Sequence, residues 1–259
     1  MRSARLSALC LLLVFTLAAP AWAHFGLLLP DKAMVMQGDA PDLELTLAFC
    51  HPFEQKGMVM AKPQKFGVVA GKEKIDLLTT LQEAKVLDQP AWKTTYALKK
   101  PGIYAFYFDP QPYWEEAENK FIIHQTKTYV AAFGAEEGWD REVGLKAEIV
   151  PLTRPFGLYA GNVFQGVVKF KGKPLAGADV EVEFWNADKK VAAPNDYFVA
   201  QVVKTDKNGV FTFAAPQAGW WGFAALAEEK QAIAGKDGKK KDAEYGAVLW
   251  VQFSDWPGK

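Results

Sequence analysis

The chain has 259 residues, and its 30 Lys and Arg balance its 30 Asp and Glu. No strong field for nucleic acid or an anionic membrane follows from that balance. Half of the residues are hydrophobic and 14% are aromatic, and the length allows one or two domains with substantial cores.

Residues 1–23 read as a secretory signal. Arg2 and Arg5 precede an apolar run from Leu6 to Ala19, and Ala21-Trp22-Ala23 supplies the small-residue cleavage pattern. The run is too short for a comfortable bilayer span, and no later apolar stretch could cross one. Cleavage after Ala23 makes His24 the first residue of the mature chain. It also leaves 28 of the 30 basic residues against 30 acidic, and Cys50 as the one remaining cysteine. An internal disulfide is therefore excluded, and an exported chain of this kind must be held by its core.

Short alternating runs broken by Gly, Pro and Asp dominate the mature sequence, which predicts an all-β chain, expected to form two tandem β-sandwiches of Ig-like architecture. His24 to Leu29 is a short apolar start ended by Pro30-Asp31. Leu43 to Phe49 alternates as a strand and delivers Cys50-His51-Pro52-Phe53-Glu54 at its end. Leu81 to Val86 reads as a short strand or a loop. Ile103 to Phe108, apolar on both faces, predicts a buried central strand. Pro110 to Glu118 is a proline-rich, acidic loop holding Tyr113-Trp114. Lys120 to Val130 fits one long strand with Ile122, His124, Thr126 and Thr128 on one face and Lys127 on the other.

Two prolines between Pro151 and Pro155 mark a stiff connector. The expected division is thus a first sandwich over 24–150, then a linker 151–157 and a second sandwich over 158–259. In the second part Asp179 to Trp185 alternates acid out and apolar in. Asp206-Lys207-Asn208-Gly209 is a tight turn with glycine at positive φ. Gly235 to Asp242 is a basic, glycine-bearing hairpin loop between Gly219–Leu226 and Tyr245–Phe253.

The second part resembles the transthyretin-like, or carboxypeptidase-regulatory-like, β-sandwich on 172–180 (GKPLAGADV) and 205–211 (TDKNGVF). That module serves as a spacer in many proteins, and its presence implies no activity. The mature chain as a whole resembles the periplasmic component of bacterial nickel/cobalt transport systems, the NikK-like group. The residues that carry this resemblance are His24 after the signal, His51-Pro52-Phe53-Glu54, the run from Met58 to Pro63, and His124 with Lys127. Cys50 stands where that family often has glycine. The resemblance implies a periplasmic protein that binds Ni(II) or Co(II) and hands it to inner-membrane transporter subunits. It implies no enzymatic activity.

The residues themselves also point to a metal. A terminal histidine offers an α-amine and an imidazole that can close a chelate ring, and all three histidines fall in the first half. His24, His51 and His124 together would supply three or four nitrogen donors suited to Ni(II), Co(II), Cu(II) or Zn(II). Against this, His51 also fits a hydrogen-bonded loop histidine, and His124 fits a hydrogen-bonded core residue. Glu54 reads as a carboxylate that orients an imidazole or as a surface group. Cys50, adjacent to His51 in a strand, points to the opposite face and reads as a buried, inert thiol.

Met34/Met36 and Met58/Met60 each share a strand face. They are adaptable core filler or, in the alternative of a periplasmic copper carrier, thioether ligands for Cu(I). A histidine-brace copper enzyme matches only at His24. A sandwich interaction protein without metal would leave the three histidines far apart. No Gly-x-Ser-x-Gly, no His-Glu-x-x-His and no phosphate-cradling glycine loop occurs.

Overall fold

The computed structural model describes residues 24–257, so the expected signal segment lies outside the described residues. Among the described residues the chain is all-β, with twenty strands, three single 3-10 turns and no α-helix. The strand Asp42–His51 shows why. Leu43, Leu45 and Leu47 are fully buried while Asp42 and Glu44 are exposed, the period-two signature of a half-covered strand. From Leu47 onward both faces are buried, because Ala48 and Cys50 pack with Phe25, Leu27, Ala224, Val248 and Trp250.

The strands form three sheets. A five-stranded sheet has the order Phe25–Pro30, Asp42–His51, Gln89–Ala97, Gln82–Val86, with Lys56–Met58 paired on Asp42–His51. An eleven-stranded sheet runs from Gln201–Lys204 through Asp179–Phe184, Gly219–Ala234, Lys240–Ser254, Lys120–Ala132, Gly102–Asp109 and Lys65–Ala70 to Glu73–Asp76. The short strand Tyr113–Glu115 hairpins onto its Lys120–Ala132 member. A four-stranded sheet centres on Val163–Phe170, flanked by Ala147–Pro151, Lys173–Pro174 and Val210–Ala214.

The large sheet is the middle layer. On one face Ile122, Val130, Phe106 and Phe108 pack with Leu43, Leu45, Leu47 and Phe49 of the five-stranded sheet. On the other face Ile123, Tyr129, Phe223 and Leu249 pack with Ile149, Phe164, Val168 and Phe211 of the four-stranded sheet. Ile122 and Ile123 thus enter different cores, as alternation along a strand requires.

Several expectations are met and several are revised. Gln82–Val86 is a strand, Gly102–Asp109 is buried on both faces, Lys120–Ala132 is one strand, and Gly209 has φ +77. The two sandwiches, however, do not have separate frameworks. The large sheet passes across the 151–157 connector, because Lys120–Ala132 pairs in parallel with Lys240–Ser254, His124 opposite Gly246. A single apolar cluster holds Ile103 and Tyr129 together with Phe164 and Phe223.

The strand Asp179–Phe184 does not turn all its acids outward, since Glu183 is 1% exposed. Its face is covered by the loop after His51. The expected loop over Gly235 to Asp242 is shorter than the sequence suggests, because strand pairing continues to Ala234 and Lys240. No helix among the described residues is long and apolar enough to cross a membrane.

Candidate metal centre

The five-stranded sheet brings His24 and His51 together. Phe25 lies opposite Cys50 in the antiparallel pair, so one step outward His24 comes beside His51. Their ring centroids are 4.8 Å apart. His124 arrives from the facing sheet. Phe49 stands between it and the pair, stacked on His24 at 5.8 Å and edge-on to His124 at 5.9 Å. Residues separated by a hundred positions thus converge at one end of the sandwich.

The hairpin at Tyr113–Glu115 closes over this end. Register Glu115↔Lys120 folds it back along the strand that carries His124. Glu115 Oε2 lies 3.3 Å from His24 Nε2, and Tyr113 packs 5.2 Å from Phe49 and 6.3 Å from His24. A cavity of about 80 Å³ lies beneath, walled by Gly26, Phe49, Met60, Pro112, Tyr113 and His124, among others.

His124 is 3% exposed, and neither of its ring nitrogens has a hydrogen-bond partner. An unsatisfied buried polar group of this kind costs on the order of 1–3 kcal/mol and calls for an explanation. Its ring lies flat on Gly246, where an added Cβ would sit 2.5 Å from Cδ2. Only glycine leaves that space.

His24 and His124 are both held neutral. Burial first, then the nearby His51, lowers His24 to about 4; Glu115 and Glu118 oppose this and Lys120 adds to it. Burial, then His24 and Lys120, lowers His124 to about 3. Burial alone would lower the Lys120 ammonium too. Instead Glu118 and Glu244, at 2.5 and 2.6 Å, hold it above its ordinary value and balance its charge beside the site.

The other expected residues are placed as follows. Cys50 is fully buried among Phe25, Leu27 and Trp250, on the face away from His51, and burial pushes its thiol up. The strand continues through His51, so the two side chains diverge. Lys127 also faces away from the histidines. It is 1% exposed and binds Glu148 at 2.6 Å on the opposite side of the sheet, because it sits an odd number of positions from His124.

Burial holds the Glu54 carboxyl above its ordinary value, with Lys56 lowering it and Asp196 raising it. Met60 walls the His124 cavity, and Met58 packs on the same core opposite Phe49. Met34 pairs with Ala131, seven positions along the strand from His124, or roughly 23 Å away. The two methionine pairs therefore cannot share an ion.

The sequence reading missed Glu115, Phe49 and Tyr113. The acidic run from Glu115 to Glu118, just before a histidine-bearing strand, was the available signal for Glu115. Among the described residues no three His, Cys, Asp or Glu side chains are already grouped to hold a metal ion. The terminal α-amine that cleavage would liberate adds a donor that such a grouping does not include.

A family profile described as "Domain of unknown function (DUF4198)" matches residues 21–229. No curated protein matches the chain. Among solved structures, the adhesin InvE of Yersinia pseudotuberculosis is 11% identical with TM-score 0.24, and the alignment covers 86% of this chain and 58% of that one. The D00-D0 domain of intimin is 9% identical with TM-score 0.22, covering 90% of this chain and 100% of that one. The FN1–FN3 domains of chicken CNTN1 are 9% identical with TM-score 0.20, covering 90% and 68%. The chain thus spans little more than half of the InvE chain, and at these scores nothing about function follows.

Proposed function

The chain belongs to the DUF4198 family, a domain of unknown function, and we propose that it is an exported carrier that binds Ni(II) or Co(II) through His24, His51 and His124 and passes it to inner-membrane transporter subunits. The metal is cargo. The observation that carries this reading is the convergence of all three histidines, with His24 and His51 at 4.8 Å and a third imidazole whose two buried nitrogens have no partner. A sandwich built only for interaction has no use for that arrangement, and a polar orphan of this kind is expected where a ligand completes it.

The chemistry fits nitrogen-binding divalent ions. His24 contributes an α-amine and an imidazole from one residue, and His51 lies within reach of the same ion. Glu115 adds a carboxylate beside His24. His124 lies across the Phe49 ring from this pair. Amine, imidazole and carboxylate donors suit Ni(II) and Co(II), whereas Cu(I) selects thioethers. A copper carrier would have to rely on Met58 and Met60, since Met34 and Met36 lie at the far end.

Proton competition sets the release condition. With His24 near 4 and His124 near 3, both imidazoles are neutral donors at pH 7. The α-amine, with an ordinary value of about 7.7–8.0, is then the donor that protons block first.

The test is calorimetry with Ni(II), Co(II), Cu(II) and Zn(II) on protein that begins at His24 and on protein with one added residue before it. The extension is expected to abolish tight binding by removing the chelate. Equal affinity in both forms removes His24 from the site, and no binding in either overturns the reading.

A further inference from the structure

The turn that follows His51 is held from the other half of the chain. Asn186, 2% exposed, sits just beyond the strand Asp179–Phe184. Its backbone N–H donates to Pro52 O at 3.3 Å, and its Nδ2 donates to Phe53 O at 3.1 Å. The same Nδ2 donates to Val191 O at 2.8 Å, and Oδ1 accepts from Val191 N at 2.9 Å. Both amide hydrogens and the carbonyl oxygen are therefore used, and two of these bonds shape the loop that backs the turn. Glu183 adds a third tie, accepting from Phe53 N at 3.2 Å. Burial first holds Glu183 well above its ordinary value, while the Phe53 bond opposes this. Within the turn Gln55 is at φ +54 and its Nε2 donates to Pro52 O at 2.6 Å.

We propose that Asn186 is the positioning residue for His51: its amide, with Glu183 beside it, fixes the Pro52-Phe53 turn and so sets where the His51 imidazole stands relative to His24. The physical argument is that a ligand at the last position of a strand is only as well placed as the turn after it. Here Pro52 O, Phe53 O and Phe53 N are all held from across the molecule, by Asn186 and Glu183. The C-terminal half is then part of the metal centre although it supplies no donor atom. The inference rests on the proposed function for its purpose, but the placement it asserts exists without metal.

The experiment uses the full mature chain. Asn186→Asp keeps the shape and loses both amide donors. In metal-free protein it is expected to shift the His51 ring resonances while those of His24 and His124 stay, and to speed exchange of the Phe53 amide. With Co(II) alone as probe, affinity is expected to fall roughly tenfold or more, with an altered visible absorption band, as for groups that orient ligands. Thr205→Ala is the control. It removes a buried hydroxyl that bonds Ala178 N and Leu175 O in the same half and touches nothing near His51.

If Asn186→Asp does not fold, Glu183→Ala against Glu183→Gln decides the same point. Alanine removes the acceptor of the Phe53 amide and should move His51, and glutamine restores it. Unmoved His51 resonances in a folded Asn186→Asp or Glu183→Ala variant, or an equal effect of Thr205→Ala, overturn the inference. Failure of the wild type to bind both Co(II) and Ni(II) refutes the proposed function alone, and the metal-free resonances still decide the role of Asn186.

Discussion

Two of the buried polar side chains on the strand Lys120–Ala132, His124 and Lys127, stand three positions apart and could hardly be treated more differently. On one face Lys127 binds Glu148, whose two oxygens also take the backbone N–H groups of Val143, Gly144 and Leu145 at 2.7, 3.0 and 3.2 Å. That network is complete, and it pins the 143–145 segment to the sheet. On the other face His124 has two nitrogens and no hydrogen bond to either. Both groups lose water on folding. Only one is repaid within the chain. The lesson is that a finished buried network serves the fold, whereas an unfinished one calls for an explanation, which the proposed ion would supply at His124.

The contrast can be broken most severely at its finished side. Glu148→Ala leaves the Lys127 ammonium buried without a partner and should destabilise the protein by about 3–5 kcal/mol in urea unfolding. Metal affinity of the folded fraction should be unchanged, because Lys127 faces away from the histidines. A loss below about 1 kcal/mol, the range of an exposed pair, would deny that the network is structural.

The second test uses pH. His24 and His124 have folded values of about 4 and about 3, against an ordinary 6.5. Between those values the unfolded chain holds more protons than the folded one. Stability of the metal-free protein should therefore be complete above about pH 6.5 and fall as pH drops towards 3 to 4. His124→Leu should flatten this decline and, by removing the unsatisfied nitrogens, raise stability at pH 7 by roughly 1 kcal/mol while weakening metal binding. A decline of equal slope in the variant would show that His124 is not held neutral.

A smaller effect sharpens the picture from behind the ring. Gly246→Ala drives a methyl into the His124 ring and should cost about 1–3 kcal/mol by thermal or urea unfolding. It should also displace the His124 ring resonances. An unchanged ring would mean that the face of the imidazole is not fixed by this contact.

Much of this was legible locally. Alternation from Leu43 to Phe49 gave a strand, and the period of two put His124 and Lys127 on opposite faces, because side-chain direction is a property of neighbouring residues alone. The same rule separated Cys50 from His51. What failed had a common cause in partners far away in the chain. Glu183 looked like an outward-facing acid until the turn after His51 covered it. Nor could local pattern show that one sheet runs past the 151–157 connector, where Lys120–Ala132 pairs with Lys240–Ser254 in a parallel match between strands more than a hundred residues apart.

By itself, then, the sequence determined the all-β character of the chain, the faces of its strands and the inventory of three histidines. Tertiary structure alone decided that His24 stands beside His51, that Phe49 separates them from His124, that Glu115 closes over the pair, and that Asn186 reaches across to the Pro52-Phe53 turn. The physical reason is that periodicity is written residue by residue, whereas strand pairing and loop docking are chosen by how whole faces bury against one another.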